Sequence, residues 1–251
     1  MDSDNPVELE TAGTATQMKP RDAATLIVVD SGGNEPKVLM GRRHPGLIFM
    51  PGKYVFPGGR VDDEDRTLEP ADDLRAAEFD KLLVDMRGRA SISRARALAV
   101  AAIRETCEEV GLLIAGPANH TPATQPAAPP ATWRDFIAQG RRPSLAGLTL
   151  LARAITPPGR TRRFDARFFG VSADAITDRL TLIDGELLDV RWLTLEEARG
   201  TDLASITRVV LEDLADRLKA GAVNSSDWPV PFYHYRNGRF MRDLLTKPAK
   251  S

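Results

Sequence analysis

The sequence predicts an α/β fold: a mixed central sheet sandwiched between helices. Three observations carry this expectation. Residues 23–30 (AATLIVVD) are β-branched and almost wholly apolar, the mark of a strand buried on both faces. Apolar residues recur at helical spacing at 71–88, 93–110 and 203–218, and these runs alternate with further strand-like stretches. With 42% apolar and 27% charged residues, a chain of 251 residues can bury one sizeable core, and no linker divides it.

Taken in order, residues 1–20 are rich in Thr, Asp and Glu without periodicity and read as a flexible leader, which leaves 21–251 as a single domain. The Gly-rich turn Ser31-Gly32-Gly33-Asn34 joins 23–30 to a second strand at 37–43, forming a hairpin. A third short strand, 54–56, is cut off by Pro57-Gly58-Gly59. Residues 60–92 then change character. An acidic run at 61–65 precedes Leu74, Phe79, Leu82, Leu83 and Met86, whose spacing predicts an amphipathic helix over 71–88. Ser93 caps the next helix, which stops at Gly111. Residues 116–131 are low-complexity Pro, Ala and Thr, a surface loop, and 133–138 a short helix. Strands follow at 147–156, 163–171 and 186–193. Thr194 and Glu197 form a capping-box signature, and Leu203, Ile206, Val209, Val210, Leu214 and Leu218 mark the last long helix. Phe232, Tyr233, Tyr235 and Phe240 are assigned to the core, with base stacking or a homodimer contact as the alternatives.

Charge and cysteine usage narrow the function. Thirty-four Lys and Arg against 35 Asp and Glu give a net charge of −1, without the bulk attraction expected of a nucleic-acid binder. No apolar run approaches the roughly 20 residues of a membrane span. Neither nucleic acid nor membrane is therefore expected as a partner, and the location expected is cytoplasmic. The single cysteine, Cys107, excludes an intramolecular disulfide and a multi-cysteine zinc site.

The chemistry concentrates in residues 103–112 (IRETCEEVGL). At about 100° per residue, Glu105, Glu108 and Glu109 share one face of a helix. They also sit in its last turns, where the macrodipole disfavours anions. A solvated acidic face is the commoner meaning of such a cluster. Its alternative is a cation site, and oxygen ligands without His or Cys favour Mg²⁺ or Mn²⁺ over zinc.

The neighbouring residues decide between these. Phe56-Pro57-Gly58-Gly59 lies upstream, and Gly59, Arg104, Glu105, Glu108, Glu109, Gly111 and Leu112 match the pattern G-x5-E-x7-R-E-U-x-E-E-x-G-U, with U an aliphatic residue. This resembles the Nudix box. Thr106 stands at an aliphatic position, and Asp65 where the pattern has Glu. Gly59 and Glu105 lie 46 positions apart, against roughly 15 in the compact pattern. The box is thus interrupted by a helical insertion, 60–92. With Ala97-Leu98, Ala101-Ala102-Ile103, Thr156-Pro157, Arg162-Arg163-Phe164-Asp165 and Phe168-Phe169, the chain is similar to the Nudix branch containing coenzyme A diphosphatases of the motif-nineteen type. The resemblance covers roughly residues 20–200 and leaves 228–251 without support.

The resemblance implies the Nudix fold and metal-dependent cleavage of the diphosphate in a small nucleoside diphosphate derivative, coenzyme A or an acyl-CoA first. ADP-ribose or an NADH-type dinucleotide is the second substrate class. A non-catalytic Nudix-fold sensor is the rival, disfavoured because all three box glutamates are kept. In this reading Glu105 and Glu109 are the principal metal ligands. Glu108 ligates a second ion or accepts a proton, and Glu186 is the downstream candidate for general base, with a surface carboxylate as its alternative. Arg104 orients Glu105 through a salt bridge. Gly58 and Gly59 admit close backbone approach to metal or phosphate. Arg42 and Arg43 are either phosphate contacts or solvated strand-end charges. The inserted helix is expected to rim the substrate cleft.

Overall fold

The computed structural model describes residues 18–117, 133, 134, 137, 140–180 and 186–245. Its centre is a nine-stranded mixed sheet. The main path runs β11 (Leu187–Thr194), β2 (Lys37–Arg43), β1 (Arg21–Asp30), β9 (Phe164–Ser172), β8 (Thr149–Ile155), β12 (Pro231–Arg236) and β13 (Arg239–Leu244). Two short strands flank it: β3 (Tyr54–Val55) on β2 and β4 (Gly58–Arg60) on β1. β1 and β2 meet antiparallel beside their turn, at Val29 and Val38, while the long partner of β1 is β9, parallel from Arg21 to Val29. Small two-stranded pairs, β5 (Leu112–Leu113) with β10 (Asp178–Arg179) and β6 (Ala115–Pro117) with β7 (Arg141–Pro143), lie outside this sheet.

Helices cover both faces. On one, α2 (Ile92–Val110) buries Ala95, Leu98, Ala102, Ile103 and Cys107 against Ala24, Leu26, Val28, Leu150 and Phe169. On the other, α3 (Leu195–Arg199) and α4 (Ser205–Lys219) bury Ala198, Val210, Leu211 and Leu214 against Ile27, Val29, Val38 and Met40. Alternate residues of β1 thus enter opposite cores, which is why its central run Leu26-Ile27-Val28-Val29 is wholly apolar. The expected α/β layering, a mixed sheet between helices, is what the structure shows.

Several local expectations are corrected. Ser91, not Ser93, caps α2: its extended backbone lets the side chain accept from Arg94 N at 3.2 Å. Gly58 and Gly59, read as ending a strand, belong to β4, with Gly59 opposite Ala24. The tail at 231–244 is a hairpin turned at Asn237 and Gly238, both at positive φ. Tyr233 and Phe240 stack within it, and Phe240 is 52% exposed. The loop expected over 116–131 starts later, because Gly116 and Pro117 belong to β6; residues 118–131, 135, 136 and 138 of the short helix, and 1–17 of the leader fall outside the described residues.

The insertion differs most. The helix expected over 71–88 is α1 (Ala76–Leu83), eight residues long. Arg75 and Val84 at its ends are extended, and Asp85 has φ +49°. Leu74, Leu82 and Met86 are all buried in the α2-side core, but the first and last enter it from outside the helix. Their spacing mimicked a longer helix. Arg96 lies over the Phe79 ring at 5.8 Å. It precedes Glu105 by nine residues, about 14 Å of helix. The part of 60–92 that borders the carboxylates is therefore its beginning, 60–66, and not the helix.

α1 is fastened to β8, which pairs with β12 at Arg153 and Ala154. Ahead of that point Glu78, wholly buried, accepts from Leu150 N at 2.8 Å, and Arg75 donates to Leu148 O at 3.3 Å and Thr149 Oγ1 at 2.5 Å.

Candidate active site

The C-terminal turns of α2 bring Glu105 and Glu109, one turn apart, against β4. Helix termination is clean: Gly111 takes the left-handed conformation at φ +71° and returns its N–H to Cys107 O. Gly58 N donates to Glu109 Oε2 at 2.8 Å. A Cβ at Gly59 would stand 2.5 Å from the Glu105 carboxylate, and one at Gly58 would meet Ala24 O at 2.5 Å. Only glycine allows helix, loop and β1 to approach this closely.

Arg104 organises the carboxylates. Its Nε and Nη2 grip Asp65 at 2.9 and 3.0 Å, and Nη1 donates to Glu105 Oε1 and Glu108 Oε2, each at 2.9 Å. Nη2 also reaches Arg60 O at 2.9 Å, and Asp65 accepts from Asp62 N. Asp65 and Arg104 are 1% and 3% exposed. Burial opposes the Arg104 charge, but the Asp65 hydrogen bonds and the surrounding carboxylates outweigh it and raise its pKa. The residue at the pattern's first acidic position is thus joined to α2, and the excursion leaves the box only after Arg66. Asp62 also stands 3.8 Å from Arg104, a neighbour the sequence analysis did not single out. The acidic run at 61–65 was its signal.

Glu105 and Glu109 are left short of positive charge. Burial pushes Glu109 up to about 8, against the Gly58 hydrogen bond, with the Glu105 charge adding to the rise. Burial likewise raises Glu105 to about 7, opposed by Arg104 and reinforced by Glu108. Arg43, at the end of β2, lies 3.9 Å from Glu109 and 3.6 Å from Glu186, which is 63% exposed before β11. Its Nε is occupied by Phe49 O at 3.0 Å.

The structure thus gathers Gly58, Gly59, Arg104, Glu105, Glu108, Glu109, Arg43 and Glu186. Arg42 is not among them. Strand alternation turns it to the opposite face, where its charge acts on Asp189 within the Tyr54–Asp189–Arg191 group. Glu108, expected beside Glu105 and Glu109 as a metal ligand, is directed to Arg104. Among the described residues no three His, Cys, Asp or Glu side chains converge as a ready metal cage. The Glu105–Glu109 pair still fits a hard cation. Its donors are all oxygen, its charge is underbalanced, and Mg²⁺ commonly takes one or two carboxylates, completing its shell with water and phosphate oxygens. No helix among the described residues is long and apolar enough to cross a membrane.

No family model matches the chain. Human acyl-coenzyme A diphosphatase NUDT19 is 30% identical over an alignment of 177 positions that covers 53% of this chain and 47% of that protein, so the chain spans about half the length of this curated relative. The crystal structure of a NUDIX hydrolase from Alicyclobacillus acidocaldarius is 29% identical, with a TM-score of 0.57 over 78% of this chain and 91% of that one. With the box residues assembled on one loop and one helix, the chain has the fold of Nudix hydrolases and is similar to them in sequence, with the box interrupted between Asp65 and Arg104.

Proposed function

We propose that the chain hydrolyses the diphosphate of small nucleoside diphosphate derivatives, with coenzyme A or its thioesters as the leading substrate. The observation that carries this reading is the Glu105–Glu109 pair, buried one turn apart against a glycine strand and short of positive charge. The acyl-CoA activity named for the human relative supports the substrate class; ADP-ribose and NADH-type dinucleotides are the comparison substrates.

Glu105 and Glu109 would hold Mg²⁺ or Mn²⁺, which when bound draws charge from the diphosphate oxygens and lowers the barrier to attack. Gly58 N–H fixes the Glu109 carboxylate, and Arg104 fixes Glu105 by binding it and Asp65 together. Glu186 is exposed and tethered near Glu109 by Arg43, so its carboxylate can take the proton of the attacking water. The water oxygen bonds to one phosphorus, the bridging P–O bond breaks, and the two halves leave, each ending in a terminal phosphate. Glu108, which accepts from Arg104, supports the same guanidinium.

The test is a substrate panel of coenzyme A, an acyl-CoA, ADP-ribose and NADH, run with Mg²⁺, with Mn²⁺ and with chelator, and resolved by mass spectrometry. The expected result is metal-dependent conversion of coenzyme A into 4′-phosphopantetheine and adenosine 3′,5′-bisphosphate. Absence of turnover on every substrate, or turnover indifferent to chelator, overturns the reading.

A further inference from the structure

The loop between β2 and β3, residues 44–53, carries four consecutive apolar residues, Leu47-Ile48-Phe49-Met50, between Pro45-Gly46 and Pro51-Gly52. It is built as a fixed projection. Its base is closed by Arg43 N to Lys53 O at 2.9 Å and Gly52 N to Arg43 O at 3.1 Å, and Gly46 N donates to His44 Nδ1 at 3.0 Å. Met50 adopts φ +50° and packs on the cluster of Val55, Leu187 and Ala204, against which Val110, the residue that follows Glu109, also packs. The Phe49 ring meets Phe164 edge to face at 5.3 Å. Immediately before these two anchored residues, Ile48 is 73% exposed, the most exposed large apolar side chain among the described residues.

A lone exposed isoleucine is ordinary on a protein surface. This one stands on a braced loop at the edge of the candidate active site. The Phe49 carbonyl binds Arg43 Nε, and the terminal nitrogens of the same guanidinium face Glu109 and Glu186. Arg43 thus links the main chain of this loop, at the residue after Ile48, to the carboxylates. The surface it offers is aliphatic, since the Phe49 and Phe164 rings are engaged with each other.

We propose that the tip of this loop, with Ile48 outermost, contacts an aliphatic substituent carried by the substrate beyond its diphosphate, so that Ile48 sets the preference for acylated over unacylated nucleotide. The inference rests on the diphosphatase reading above. It makes Ile48 a specificity residue distinct from the groups that act on phosphorus.

The experiment compares steady-state rates on free coenzyme A and its acetyl and octanoyl thioesters for the wild type, Ile48→Ser and Ile48→Leu. Partial burial of one isoleucine side chain corresponds to about three- to tenfold in affinity. Ile48→Ser is expected to raise KM for the octanoyl thioester by that factor relative to its effect on free coenzyme A, while Ile48→Leu keeps the preference. A wild type with one KM for all three substrates, or an Ile48→Ser that shifts all three equally, overturns the assignment and leaves the diphosphatase reading intact. A wild type that cleaves none of the three overturns both.

Discussion

Two buried charge clusters lie on the α2 face of the sheet, one at each end of that helix. Near its start, Arg94 grips Asp22 at 2.5 and 2.7 Å, Arg153 grips Asp165 at 2.9 and 2.8 Å, and Arg167 closes on Asp165 at 2.5 Å. Near its end, Arg104 grips Asp65 in the same two-pronged manner, with Glu105, Glu108 and Glu109 around it. Arg94 and Arg104 are about 15 Å apart along the helix. The bidentate motif is shared; the remaining charge is not. At the first cluster three guanidiniums face two carboxylates, and despite burial the Arg94 contacts hold Asp22 below the usual carboxylate range. At the second, carboxylates are in excess, and burial drives Glu105 and Glu109 upward. A buried ion pair alone therefore says little about function. The sign of the uncompensated charge separates a cluster that locks strands together from one suited to a cation.

The comparison can be broken most forcefully at Asp165. Asp165→Asn leaves Arg153 and Arg167 buried without their carboxylate and is expected to cost about 3–5 kcal/mol of stability. Urea unfolding measures the loss, and kcat per folded molecule should stay near wild type. A collapse of kcat in the folded fraction would show that the two clusters are coupled. Glu109→Gln should do the reverse. Its kcat with Mg²⁺ should fall on the order of 10²-fold, while the metal-free protein melts no lower than wild type, because a costly buried charge has been removed. Near wild-type turnover in this variant would deny Glu109 its place as a metal ligand.

Titration sharpens the same contrast. An acid whose folded pKa is raised stabilises the protein fully below its unfolded pKa, near 4.5, and that stability is lost as pH rises through the folded value. Metal-free melting temperature should therefore fall from about pH 4.5 upward and level off above about pH 8. Divalent cation should restore it, with protons released on binding near pH 7. Calorimetry in buffers of different ionisation enthalpy reads that release, and a proton-neutral binding event would contradict the raised values. The smallest effects are expected at the end of β2. Arg43→Ala should lower kcat/KM about tenfold through Glu109 and Glu186, whereas Arg42→Ala, on the other face, should stay within about twofold. Equal losses in the two variants would mean that substrate reaches across both faces.

What was legible in the sequence follows from the range of the interactions involved. Glu105, Glu108 and Glu109 stand at fixed offsets on one helix, so their shared face could be read without a fold. Asp65 lies 39 residues from Arg104, and its partnership needed the loop to return. Strand alternation could have separated Arg42 from Arg43, because one residue of shift in a strand changes the face. The hairpin at 231–244 carried a local sign, Asn237-Gly238, which suits a tight two-residue turn. The length of α1 was not legible. Leu74 and Met86 are buried for tertiary reasons, and their spacing agreed with a helix by coincidence.

The side chains by which α1 holds β8 have a consequence for how the molecule behaves in a crowd. A strand with vacant main-chain donors and acceptors is a template on which another chain can grow. At Leu148 O and Leu150 N those positions are taken by Arg75 and Glu78, Leu150 O accepts from Arg217 of α4 at 3.4 Å, and Arg75 also holds the Thr149 hydroxyl. The excursion that splits the box thus serves as a stopper on the sheet. A chain shortened to the compact box spacing would keep its catalytic helix and gain a sticky edge.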